Sequence, residues 1–160
     1  MTMWWIVLGA LVGMLVVAAA AVRPLIRARR KLRIERARRD FRQRREQLEA
    51  KFFKLASSTG KPRGLRWADI DFDDEITLAR DPHSSDLLAF VGLTVHFEAI
   101  EGGGMEEVEN VRRPKAATAE FRSRRGEWQT FGRVIFNLNP SETIARENLE
   151  AIDLEPAHRS

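Results

Sequence analysis

From Trp4 to Val22 the chain runs nineteen residues without a charged side chain, and an arginine-dense stretch follows at once. Between Arg23 and Arg45 stand eleven Arg and one Lys against only Glu35 and Asp40. A segment apolar on every face needs its whole surface covered, so this junction constrains the architecture more than any other feature. Nineteen helical residues rise about 28 Å, close to the roughly 30 Å hydrocarbon core of a bilayer. The expectation is a transmembrane helix over residues 4–22. A cleaved signal peptide wants positive charge before its apolar core. Here Met1-Thr2-Met3 supplies no charged side chain, although Ala18-Ala19-Ala20-Ala21 mimics a cleavage site.

The positive-inside rule then orients the span. The arginines follow the apolar run, so the N-terminus is expected outside, with the remaining chain on the cytoplasmic side of a bacterial inner membrane. Trp4 and Trp5 suit the outer interface; Arg23, Arg27, Arg29, Arg30 and Lys31 suit the inner one, against membrane lipid. Gly9 and Gly13 form a GxxxG pair, the spacing that lets two helices approach closely, so a homodimer through this helix is a further expectation. Gly and Ala are also simply common in membrane helices.

Charge divides sharply along the chain. Residues 23–45 carry +12 and −2, whereas residues 46–160 carry +15 and −21, a net of −6. The basic character therefore belongs to one segment. Residues 23–56 read as a juxtamembrane helix, with no Gly or Pro from Leu25 to Ala56. Ile34, Ala37, Phe41, Leu48, Phe52 and Leu55 fall within roughly a 60° arc at 100° per residue. Glu35–Arg39 and Asp40–Arg44 add i,i+4 pairs with the acid first. Arg44 and Arg45 interrupt the stripe, which argues against a continuous coiled coil and for docking on the C-terminal domain or a second copy. The arginines serve topology on the plainest reading. Anionic lipid would add roughly 1 kcal/mol per basic residue near the surface. Nucleic acid is disfavoured, because no aromatic platform or recognition motif accompanies the charges.

Residues 57–64, Ser-Ser-Thr-Gly-Lys-Pro-Arg-Gly, read as a linker. Residues 65–155 suffice for one small domain. Trp67, Ile70 and Phe72 suggest a first short strand and Ile76–Ala79 a second. Leu87 to Ile100 is the longest, with Leu87, Ala89, Val91, Leu93, Val95, Phe97 and Ala99 on one face and Phe90, Thr94, His96 and Glu98 on a wetter one. Ala117, Ala119 and Phe121 alternate in another strand. Ser123-Arg124-Arg125-Gly126 turns the chain back into Trp128–Leu138. Asn139-Pro140-Ser141-Glu142 marks a helix start with a capping box, and the helix is expected to reach Ile152. Ile144, Leu149 and Ile152 would cover one sheet face. The fold class is α+β: the transmembrane and basic helices, then an antiparallel sheet of four or five strands with a C-terminal helix.

Catalytic signatures are absent. The chain has no Cys, which removes thiol catalysis and cysteinyl metal sites, and its three His follow no metal-binding spacing. Asp69, Asp71, Asp73, Asp74 and Glu75 begin like a calcium loop, but Asp74 and Arg80 stand where Gly and Glu are needed. A solvated acidic turn is the better reading. No catalytic, cofactor-binding or metal residues are assigned. Gly102-Gly103-Gly104-Met105-Glu106 permits unusual backbone, yet no phosphate-loop Lys follows. It reads as a tight connection, or as a loop for a protein partner.

Phe97–Glu106, Ala117–Phe121 and Trp128–Pro140, with their GGGME and W-x-TFGRVIFNLNP stretches, resemble a group of small single-pass bacterial membrane proteins of uncharacterised activity. The resemblance covers residues 65–150, implies a domain family and transfers no functional residue. The leading expectation is a membrane-anchored, non-enzymatic interaction or scaffold protein. Gly102, Gly103, Gly104, Met105, Glu106, Trp128 and Arg133 are the candidates for contact with an unknown protein partner. Alternatives are an enzyme using carboxylates such as Glu98 and Glu106 with Arg133, or a lipid or nucleic-acid tether through the basic helix.

Overall fold

A computed structural model describes residues 3–59, 64–105, 107–108 and 113–152, apart from the side chains of Met3, Trp5, Ile6, Val16, Ala19 and Ala21. The chain divides into two compact units, 1–42 and 43–160.

The first unit is helical. Its helix, α1 (Met3–Gln43), continues without interruption through Pro24 and the arginine-rich stretch. Apolar and charged residues thus share one long element, and among the described residues no helix is long and apolar enough to cross a membrane. This overturns the expected transmembrane helix at 4–22, and with it the single-pass topology, the outward N-terminus and the inner-membrane location. The interfacial roles of Trp4, Arg23, Arg27, Arg29, Arg30 and Lys31 lose their premise, and the side chain of Trp5 lies outside the described residues. Trp4 and these five basic residues are exposed. Gly9 and Gly13 have open space where a Cβ would stand.

The second unit is α+β, and among the described residues its sheet has six strands where four or five were expected. It comprises α2 (Arg45–Thr59), β1 (Leu65–Arg80), β2 (Leu87–Ala99), β3 (Lys115–Arg124), β4 (Glu127–Gln129), β5 (Val134–Phe136), α3 (Pro140–Arg146) and β6 (Glu150–Ala151). The strand order is β4-β3-β2-β1-β6, with β5 also paired to β3, and every pairing is antiparallel. The helix expected over 23–56 is divided at Arg44, where the apolar stripe breaks. Ser57 to Thr59 complete α2 rather than opening a linker, and residues 60–63 lie outside the described residues.

Sheet register sorts the core onto two faces. On one, Ile76, Val91 and Ala119 lie abreast, as do Leu78, Ala89 and Phe121. Alpha-helical spacing presents Leu48, Phe52 and Ala56 of α2 as its buried side. Phe52 is fully buried, with ring centroids 5.7 Å from Phe72 and 5.6 Å from Phe121. On the opposite face Ala79, Leu88 and Phe90 pack with Ile144 of α3 and with Leu149. The outer face of β2 is therefore dry as far as Gly92 and only half-buried at Thr94 and His96.

Two local differences from the sequence pattern have identifiable causes. The expected pair of short strands is one strand, β1, because Asp73-Asp74-Glu75 bulges out of register between Phe72 and Ile76 instead of turning. Gly92 lies beneath this bulge: a Cβ there would come within 2.1 Å of the Asp73 carboxylate. The last helix begins as expected, with Asn139 and Glu142 forming a reciprocal capping box. It stops at Arg146, not Ile152, because Asn148 adopts a left-handed φ of 54°. The amides of Asn148 and Leu149 then donate to the carbonyls of Ala145 and Ile144, a Schellman closure that frees Glu150 and Ala151 to pair with β1.

The glycine triplet closes the other end of the β1–β2 pair. The Gly103 amide donates to the Ile100 carbonyl at 2.8 Å, and the Ile100 amide to the Gly64 carbonyl at 2.8 Å. A Cβ on Gly103 would sit 2.8 Å from both Gly64 Cα and the Ile100 oxygen, atoms of the backbone that cannot move aside alone.

Gly103→Ala is expected to cost roughly 1–3 kcal/mol in urea unfolding through this overpacking. Gly92→Ala should cost less, because it meets only the tip of an exposed aspartate. The reverse order would show that the loop is not held by the Gly64–Gly103 contact. A second expectation concerns the turn from β1 to β2. Asp81 accepts hydrogen bonds from the His83 amide at 2.9 Å and the Ser84 hydroxyl at 2.9 Å. The His83 bond foremost, then that of Ser84, holds its carboxyl below the usual carboxylate value. The sign follows: the stabilisation is complete above the unfolded pKa of about 3.9 and is lost as pH falls through the lower folded value. The stability difference between wild type and Asp81→Asn should stay flat above pH ~4 and shrink below it. A difference that grows on acidification would contradict this.

Candidate functional site

The residues singled out from sequence do not come together as one site. Gly102, Gly103 and Gly104 are exposed but spent on closing the sheet end, with Met105 half-buried beside Gly64. Glu106 lies outside the described residues. Trp128 is a buried residue of β4, 5 % exposed, and offers little surface to a partner.

Arg133 is a clamp. Its guanidinium donates to Glu120 of β3 and to both carboxylate oxygens of Glu147, at 2.5 and 3.2 Å, after the end of α3. Glu120 has a side chain only 8 % exposed and receives a second, longer bond from Arg122 at 3.4 Å. The hydrogen bond to Glu147 foremost, then that to Glu120, raises the Arg133 pKa above its usual value against the opposing effect of burial. A buried carboxylate requires such a cation, so Arg133 ties the sheet to α3. Glu98, the other member of the proposed acid–base set, is instead bound by Arg66 at 2.6 and 2.9 Å on the neighbouring strand. Different partners therefore hold Glu98 and Arg133.

Among the described residues no group of three or more His, Cys, Asp or Glu could hold a metal ion. His83 projects into solvent with a side chain 95 % exposed. His96 contacts Asp71 at 3.0 Å on the open part of the sheet face.

A concave feature among the described residues of the second unit lies where α2 passes over β1. Glu46, Glu49, Ala50 and Phe53 occur at i, i+3, i+4 and i+7, a single helix face beside the buried Leu48–Phe52–Ala56 side. Together with Asp69, Ile70 and Phe72 of β1 they line an open groove of about 320 Å³. Its lining combines the apolar Ala50, Phe53, Ile70 and Phe72 with the acidic Glu46, Glu49 and Asp69. Arg45 is bonded to one of them, Glu49, at 2.6 Å. The same guanidinium reaches the bulge carbonyls of Asp73 and, at 2.9 Å, Asp74. Asp69 accepts from the Ile70 amide at 2.8 Å. Apolar stems with cationic tips suit such a lining, since the stem covers Phe53, Ile70 and Phe72 while the charge meets the carboxylates. Anions do not suit it.

The groove is hidden in the sequence for a definite reason. By sequence alone the acidic run reads as a turn, and residues 45–56 as the tail of a basic helix. The available signal was the change of sign at Glu46, coinciding with the Glu-Glu-Ala-Phe spacing on one helix face.

Replacing Arg133 with Met should destabilise the second unit by about 1–3 kcal/mol, because Glu120 loses its principal cation. Arg133→Met combined with Glu120→Gln should recover part of that loss in chemical unfolding. A double variant no more stable than the single one would show that the clamp is not the source. Comparison of the chain with known protein families, with curated proteins and with solved structures finds no match, so functional inference rests on this geometry.

Proposed function

We propose that the second unit is a non-enzymatic interaction module that binds a basic segment of a protein partner in the groove between α2 and β1. The observation that carries this is a lining that joins the apolar Ala50, Phe53, Ile70 and Phe72 to the acidic Glu46, Glu49 and Asp69. The net −6 of residues 46–160 extends the same preference to the approach of a cationic partner, since charge of one sign accelerates encounter with the other. The arrangement holds no nucleophile–base pair and no convergent acid–base set, so it selects by fit and charge.

A labelled peptide alternating valine and arginine provides the test on the full chain. It should bind more tightly than a peptide alternating valine and glutamate, and binding should weaken as salt rises. Exposed ion pairs contribute roughly 0.2–1 kcal/mol each. Glu46→Gln with Asp69→Asn should therefore weaken binding about 2- to 30-fold. Equal affinity of wild type and the double variant for the arginine peptide would remove the groove as the site.

A further inference from the structure

The basic stretch and the acidic groove belong to the same chain, and their chemistries match. Residues 22–33 of α1 are exposed throughout, and they carry Arg23, Arg27, Arg29, Arg30, Lys31 and Arg33 with no acidic residue. Helical phase sorts them into two faces. At 100° per residue, Val22, Leu25, Ile26, Arg29, Leu32 and Arg33 fall within about a 120° arc, while Arg23, Arg27, Arg30 and Lys31 form a wholly basic face opposite. One face thus joins apolar side chains to guanidinium groups. Val22, Leu25, Ile26 and Leu32 are 49–59 % exposed, an apolar surface left in water by the single chain. The groove lining is its complement: Ala50, Phe53, Ile70 and Phe72 with Glu46, Glu49 and Asp69.

Resting on the reading of the groove as a site for a basic segment, we infer that this segment is residues 22–33 of α1 from a second copy of the chain. Size sets how the two surfaces meet. One turn of a helix about 10 Å across and 5.4 Å high occupies roughly 400 Å³. The groove offers about 320 Å³. The helix therefore lies across it and inserts side chains. Leu25, Arg29 and Leu32, at i, i+4 and i+7, share about a 60° arc and reach the groove together. The leucines cover Phe53, Ile70 and Phe72. The guanidinium meets Glu46 and Asp69, since Glu49 is already bound by Arg45.

Charge selects this pairing over the alternatives. Residues 23–45 carry a net +10 and residues 46–160 a net −6. Two parallel α1 helices side by side would oppose their arginine runs, and two grooves face to face would oppose their carboxylates. Helix on groove brings unlike charges together. Such an interface is heterologous: each copy contributes a different surface, so one contact needs an intact helix from one copy and an intact groove from the other.

Fluorescence titration of the full chain tests the inference with two variants, Glu46→Gln with Asp69→Asn in the groove and Arg29→Glu with Arg33→Glu in the helix. All four residues are exposed, so neither variant disturbs a core. Labelled groove variant titrated with itself should bind about 2- to 30-fold more weakly than wild type titrated with wild type. The helix variant titrated with itself should weaken by at least as much. Labelled groove variant titrated with helix variant should regain the wild-type constant, because an intact helix then meets an intact groove. Weakening by both variants without recovery in the mixture overturns the inference, as does pairing that neither variant weakens. The valine–arginine peptide separates this failure from that of the underlying reading. Peptide binding that depends on the groove, with copies that do not pair through it, overturns the second copy as occupant and keeps the basic-segment reading. Groove dependence in neither assay overturns both.

Discussion

Seating Phe52 between Phe72 and Phe121 is the contact on which the second unit depends. One side chain of α2 reaches two strands that are not neighbours, β1 and β3, across β2. Full burial of a phenylalanine contributes about 1.5–3 kcal/mol, and each favourable ring contact adds about 0.5–1.5 kcal/mol. The greater consequence is geometric. With Phe52 fixed, the rotational phase of α2 is fixed, and Glu46, Glu49, Ala50 and Phe53 must face the β1 side. The groove is therefore a by-product of core packing: it exists because the helix is held by its neighbouring face.

Beta bulges usually leave polar backbone atoms to be satisfied, and here the solution comes from outside the sheet. Arg45 donates to the carbonyls of Asp73 and Asp74 from the first turn of α2. Gly92 leaves room for the Asp73 side chain from the strand beneath. Hydrogen bonds to a charged donor contribute roughly 1.5–3 kcal/mol, enough to make the bulge a specified feature. The bulge in turn keeps Ile76 and Leu78 on the same face as Val91 and Ala89, so the core pattern survives the extra residues.

How legible this was in the sequence depended on whether a pattern was closed locally. The apolar run from Leu87 to Ala99 is satisfied within one strand, and β2 forms there, buried on both faces as far as Leu93. Asn139 and Glu142 bond each other, and α3 begins where they stand. Other features were decided by partners distant in sequence. The end of α3 turns on the left-handed backbone of Asn148, a residue that tolerates φ > 0 without announcing it. The union of two short strands into β1 turns on Arg45 and Gly92. The apolar run at 4–22 is a window of composition, whereas the element that forms is the whole of Met3–Gln43. The groove was illegible for the same reason, since its walls, α2 and β1, are joined only by tertiary packing.

Arg45 shows why a count of arginines conveys so little. By sequence it is the last member of the basic run, equivalent to Arg23 or Arg30. By structure it opens α2 and spends its guanidinium on Glu49 and two carbonyls. Its side chain is only 19 % exposed, so it no longer acts as a diffuse surface charge. This placement also sets the balance of the groove. Arg45 offsets one of the three carboxylates of the lining, leaving the charges of Glu46 and Asp69 on opposite walls. A site with all three uncompensated would repel itself; one with a second arginine would carry almost no net charge. The residual negative charge beside Phe53 and Phe72 is what gives the groove a preference among partners.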